Sequence, residues 1–170
     1  MGIAIHFSGK LKAKVGLRDL EVIGLRWAKK WKCELTAVDI PLMPMFRVID
    51  GEIHEHEGPV KGFFLQPHQD CESVRILLDK DLRMDHFCKT QFAPSRIHVE
   101  VCSFLRDIGP LFKNFKVIDE GGYWETGDRV ELERRLDFLG RMIDKVKEAF
   151  EDAEKRGPHS DYKSPDHRMN

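Results

Sequence analysis

Apolar and polar residues alternate with period two over residues 3–11, where Ile3, Ile5 and Phe7 share one side. That alternation predicts a first strand. The period then lengthens: Leu17, Leu20, Gly24, Trp27 and Trp31, with Ile23 beside them, recur at helical spacing and predict a helix over 17–32. Its tryptophan stripe reads as core-facing. Residues 35–42 predict a second strand, expected to end at Pro41 and Pro44 because proline has no N–H to give a ladder. Asp50-Gly51 then marks a two-residue hairpin turn. In that register Ile49 opposes Glu52, Val48 opposes Ile53, Arg47 opposes His54 and Met45 opposes His56. Gly58-Pro59 is expected to break the run before another strand over 60–66.

A second hairpin is predicted over 74–78 and 82–90, and its register follows from matching faces. Val74, Ile76 and Leu78 meet Leu82 and Met84 only if Leu78 opposes Leu82 across Asp79-Lys80-Asp81. Ile76 then opposes Met84, Val74 opposes His86, and Arg75 opposes Asp85 as an opposite-charge pair. Ser95 is read as the cap of a helix over 96–112, with Ile97, Val101, Phe104, Leu105, Ile108 and Leu111 buried and Gly109-Pro110 ending or kinking it. A last strand covers 116–120. Asp128-Arg129-Val130-Glu131 has the form of a capping box and opens a helix to about Arg156, with Leu132, Leu136, Leu139, Ile143, Val146 and Phe150 in its stripe.

Hairpins mixed with helical segments predict an α+β fold: a largely antiparallel sheet of about 6–7 strands with three helices packed mainly on one face. Residues 1–156 are expected to form one globular domain. The polar residues 157–170 are expected to be a mobile tail.

Composition narrows the function classes without choosing one. The 28 Lys and Arg against 29 Asp and Glu leave a net charge of -1, which argues against nucleic acid as the main partner. No apolar run approaches the roughly 18 residues of a membrane span. The four cysteines form no C-x-x-C pair and read as reduced thiols, which implies a soluble cytoplasmic protein.

Three constellations could carry chemistry. The first is the acidic–aromatic stretch after the last strand, where Gly121-Gly122 permits a hairpin that gathers Asp119, Glu120, Tyr123, Trp124 and Glu125. Carboxylates beside amphipathic rings could hold a protein or a small polar or cationic ligand through charge and cation–π contact. The second is His68, Glu72 and His86, near Asp70 and Cys88, which could supply the base or acid of a small hydrolase with or without a metal. The third is metal binding. His54 and His56 alternate onto one face with Glu52, and His98 and Cys102 stand i,i+4 on a helix, but neither set completes a site of three or four ligands without help from distant residues. No metal or cofactor is therefore assigned. The leading expectation is a binding or interaction domain that uses the 119–125 loop, with an enzyme using His68, Glu72 and His86 as the rival. The final helix, roughly 40 Å long, is a candidate homodimer contact.

Overall fold

The computed structural model describes residues 2–12, 15–49 and 52–156. The Asp50-Gly51 turn and the segment 157–170 lie outside the described residues. In chain order the elements are Ala4–Leu11 (β1), Val15–Trp31 (α1), Leu35–Ile49 (β2), Glu52–Leu65 (β3), Val74–Leu78 (β4), Arg83–Lys89 (β5), Ser95–Ile108 (α2), Phe112–Asp119 (β6), Tyr123–Thr126 (α3) and Arg129–Arg156 (α4). The fold is α+β. Its strands form two antiparallel sheets rather than one, ordered β5-β1-β6 and β2-β3-β4. The helix beyond the three expected, α3, is a single turn.

The two hairpins differ in how their sequences act. In β2–β3 the register is Ile49–Glu52, Val48–Ile53, Arg47–His54 and Met45–His56, as a two-residue Asp-Gly loop demands. Yet β2 continues through Pro41 and Pro44, and β3 through Gly58 and Pro59. Proline is tolerated there because β2 is an edge strand, and because the ladder is interrupted between Ile40 and Met43, opposite Pro59. The β4–β5 segment departs from expectation. The two strands lie in different sheets, β4 pairing with β3 and β5 with β1. Leu82 adopts a left-handed φ of 60°, and its carbonyl accepts the Leu11 amide of β1 at 2.8 Å. This turns β5 toward β1. The facing alternation survives: Val74, Ile76, Leu78, Met84 and Cys88 are all buried.

Helix α1 reaches the core along Leu20, Gly24, Trp27 and Ala28. A Cβ at Gly24 would stand 2.7 Å from Phe63 Cζ, so glycine lets the helix lie close on β3. The Trp27 and Trp31 rings meet Phe104 of α2 at 6.1 and 5.7 Å. Their indole N–H groups donate to Asp107 and Glu100, so the buried Trp27 and the half-buried Trp31 pack without orphaning their donors. Ser95 is not the cap of α2. Pro94 occupies that position, with no side-chain bond to the first turn, and the Ser95 hydroxyl donates to Glu133 instead. Gly109-Pro110 does end the helix, in a short 3-10 turn.

The chain divides into two compact units, residues 1–136 and 137–170. The core of sheets, α1 and α2 belongs to the first. In the second, the described residues 137–156 are turns of α4, where Phe138, Val146 and Phe150 are 58%, 51% and 69% exposed. Among the described residues no helix is long and apolar enough to cross a membrane.

Candidate functional site

Strand β6 ends with Ile118 exposed and Asp119 buried, so strand alternation turns the Asp119 carboxylate inward. The chain then bends. Gly122 sits at φ 76°, in the left-handed region that favours glycine, and its amide donates to the Asp119 carbonyl. The Asp119 side chain organises the next turn: Oδ1 accepts the Gly121 amide at 2.7 Å and Oδ2 the Trp124 amide at 2.8 Å. Those two bonds favour the one-turn helix α3 over the hairpin expected from Gly-Gly.

Beneath this loop α2 presents His98 and Cys102, one helical turn apart and both with no exposed surface. The His98 Nε2 lies 3.0 Å from Asp119 Oδ1, but off the direction of an aligned hydrogen bond, and it has no other partner among the described residues. On the ring's far side Nδ1 is 2.7 Å from the Thr90 hydroxyl, also buried. Cys102 Sγ stands 4.0 Å from Asp119 Oδ2. Burial, then the Asp119 charge, push the Cys102 thiol up to about 12. Burial also pushes the Asp119 carboxyl up, but the His98 ring and the amides of Trp124 and Gly121 outweigh it and hold the group below its ordinary value. A hydroxyl, an imidazole and a carboxylate in series have the parts of a nucleophilic relay. Here Thr90 is sealed, and a Cβ on Gly121 would come within 3.0 Å of Nε2, so no substrate reaches the ring.

The other residues of the loop face outward to different degrees. Glu120 is exposed; its Oε2 accepts the Ala4 amide at 2.8 Å and its Oε1 lies 3.5 Å from His6 Nε2. Tyr123 and Trp124 are half-buried against the core. The Arg106 guanidinium lies 4.7 Å from the Trp124 ring and 5.9 Å from the Tyr123 ring, and donates to the Trp124 carbonyl. A cation from the chain itself thus occupies the aromatic surface. Glu125 is exposed. At the start of α4, Asp128 Oδ1 accepts the Glu131 amide. The return half of the capping box is absent: Glu131 instead holds Arg134 and Arg135.

His68, Glu72 and His86 each have separate local partners. The His68 ring accepts the Asp70 amide, the exposed Glu72 carboxylate accepts the Lys89 amide, and His86 Nε2 lies 3.1 Å from the Leu77 carbonyl. Burial lowers the His86 pKa, which favours the neutral ring. The Cys88 thiol beside Cys71 lowers the Cys71 pKa. The side chains of His54 and His56 lie outside the described residues. A cavity of about 290 Å³, lined by Leu17, Leu78 and Leu82 with Lys61, Asp79 and Lys80, includes none of these candidates.

The structure therefore brings together His98 and Cys102, paired in the sequence by helical spacing, and Asp119, singled out there only as a loop acid. Thr90 carried no sequence signal. No protein-family model, curated protein or solved structure matches the chain.

Proposed function

We propose that the protein is a non-catalytic interaction domain in which α4 is the association element and takes a helix from a second copy of the chain. The observation that carries this reading is the exposed apolar strip of α4: Phe138, Met142, Val146 and Phe150 are all exposed. Beyond Leu132, which the chain's own core seals, the apolar series Leu136, Leu139, Ile143, Val146, Phe150 alternates steps of three and four. That 3.5-residue period matches the seam of a left-handed two-helix pair. Gly140 supports close approach of a partner. A Cβ there would meet nothing within 4 Å among the described residues, so none of them accounts for a glycine that costs a helix about 1 kcal/mol. A second copy supplies a matching strip in a self-complementary contact. All four cysteines are free thiols, in keeping with a reducing, cytoplasmic setting.

The 119–125 loop is a second recognition surface in this reading. Its exposed Glu120 borders the row Phe87, His6 and Ile118, adjacent across three strands and all exposed. Light scattering over a range of concentrations separates the two surfaces. Wild type is expected to show twice the 19.8 kDa chain mass, and Val146→Asp the single-chain mass. A wild type that stays single-chain throughout overturns the self-association. A dimer that survives Val146→Asp but separates on Glu120→Ala moves the contact to the loop.

A further inference from the structure

We propose that His98, Cys102 and Asp119 form a zinc site, with the imidazole Nε2, the thiolate and a carboxylate oxygen as three protein ligands that tie α2 to the end of β6. This goes beyond the association reading and shares no residue with the α4 strip that carries it.

One donor atom from each residue lies within 4.8 Å of the other two. Nε2 lies 3.0 Å from Oδ1 and Sγ 4.0 Å from the other carboxylate oxygen, Oδ2, on either side of the roughly 3.3–3.7 Å between neighbouring donors around a tetrahedral zinc. The buried Nε2 is the second observation: its neighbour is the Asp119 carboxylate at 3.0 Å, and it makes no aligned hydrogen bond among the described residues. A bare imidazole–carboxylate pair would align its N–H with the oxygen, whereas here Nε2 is buried among donors with no aligned bond. Such a pair also gives no reason for a thiol at the same point.

The outer contacts suit a metal as well. With Nδ1–H donating to the Thr90 hydroxyl, the ring would keep its Nε2 lone pair for the metal, and a backbone amide steadies each carboxylate oxygen. Imidazole, thiolate and one carboxylate select zinc over calcium or magnesium, which take oxygen ligands. A thiolate and a carboxylate also neutralise the 2+ charge, so the filled site is uncharged where the chain buries it. Binding replaces the thiol proton: the S–H bond breaks, the S–Zn bond forms and the proton leaves to water. Because the thiol must give up its proton to bind, affinity rises with pH. Gly121 lies against the His98 ring, so the ion would tie the turn that begins α3 to α2.

The test is elemental analysis of full-length protein grown with added zinc and desalted. Wild type is expected to carry about one zinc per chain and Cys102→Ser less than about 0.1. After chelation the two proteins should unfold at similar temperatures, which shows that the variant is folded. Refolding wild type with cobalt should give thiolate-to-cobalt charge-transfer absorption that Cys102→Ser lacks. Wild type with less than about 0.1 equivalent of zinc overturns the proposal, as does full occupancy in Cys102→Ser.

Discussion

Helices α2 and α4 carry the same kind of apolar stripe, and the molecule treats them in opposite ways. In α2 the stripe is sealed: Ile97, Val101, Phe104, Leu105 and Ile108 have at most 2% of their surface exposed. In α4 Leu132 is sealed but Val146 and Phe150 are more than half exposed. Helical periodicity records a face that would gain from being covered. Whether the cover comes from the same chain depends on long-range contacts, which periodicity does not contain. The buried face of α2 also admits two polar residues, His98 and Cys102, because Thr90 and Asp119 arrive from elsewhere in the chain to meet them.

Paired substitutions test this contrast, beginning with the largest effect. Phe104→Ala is expected to cost about 3–5 kcal/mol in denaturant unfolding, as transfer and cavity terms add in a closed core. At concentrations low enough to keep the chain monomeric, Phe150→Ala should change stability by less than about 0.5 kcal/mol. Equal losses would erase the distinction between the two faces.

Asp119→Asn comes next, at about 2–3 kcal/mol, since the charged acceptor of two backbone amides is lost. This effect has a pH signature. The folded carboxyl lies below its ordinary value, so on acidification the unfolded chain takes up the proton first. The contribution of Asp119 is full above about pH 4 and fades as pH falls through the folded value. Unfolding measured across the acid range should show a shallower loss in the variant. An unchanged acid limb would mean that the carboxylate contributes little.

The smallest pair uses glycines. Gly121→Ala would put a Cβ 2.7 Å from Leu132 Cδ1 and 2.9 Å from His98 Cε1, for a loss of about 1–3 kcal/mol. Gly140→Ala meets open space and should stabilise the monomer by up to about 1 kcal/mol. Thermal melts of the two variants shifting in the same direction would contradict the different packing assigned to them.

Much of the fold was legible because it is local. Alternation located the strands, the Asp50-Gly51 pair set the β2–β3 register, and the stripe of α2 named its buried side. What escaped was decided by distant partners. The register argument for β4–β5 weighed only those two strands, while the Leu82 carbonyl is held by β1. Pro41 and Pro59 looked like strand ends because an interrupted edge ladder cannot be seen in one strand alone. At the site, helical spacing linked His98 to Cys102. Asp119 looked like part of an exposed acidic loop because nothing local shows that its carboxylate turns inward to bind Gly121 and Trp124.

Strand β2 has a further consequence. It is the outer strand of its sheet, fifteen residues long, and a long open edge is the kind of surface on which another molecule's backbone can dock and propagate. Pro41 and Pro44 leave two gaps in its row of donors, and the break in the ladder nearby disturbs its regular pleat. The irregularities that spoil the strand's own pairing also deny a neighbouring molecule a continuous template for sheet growth.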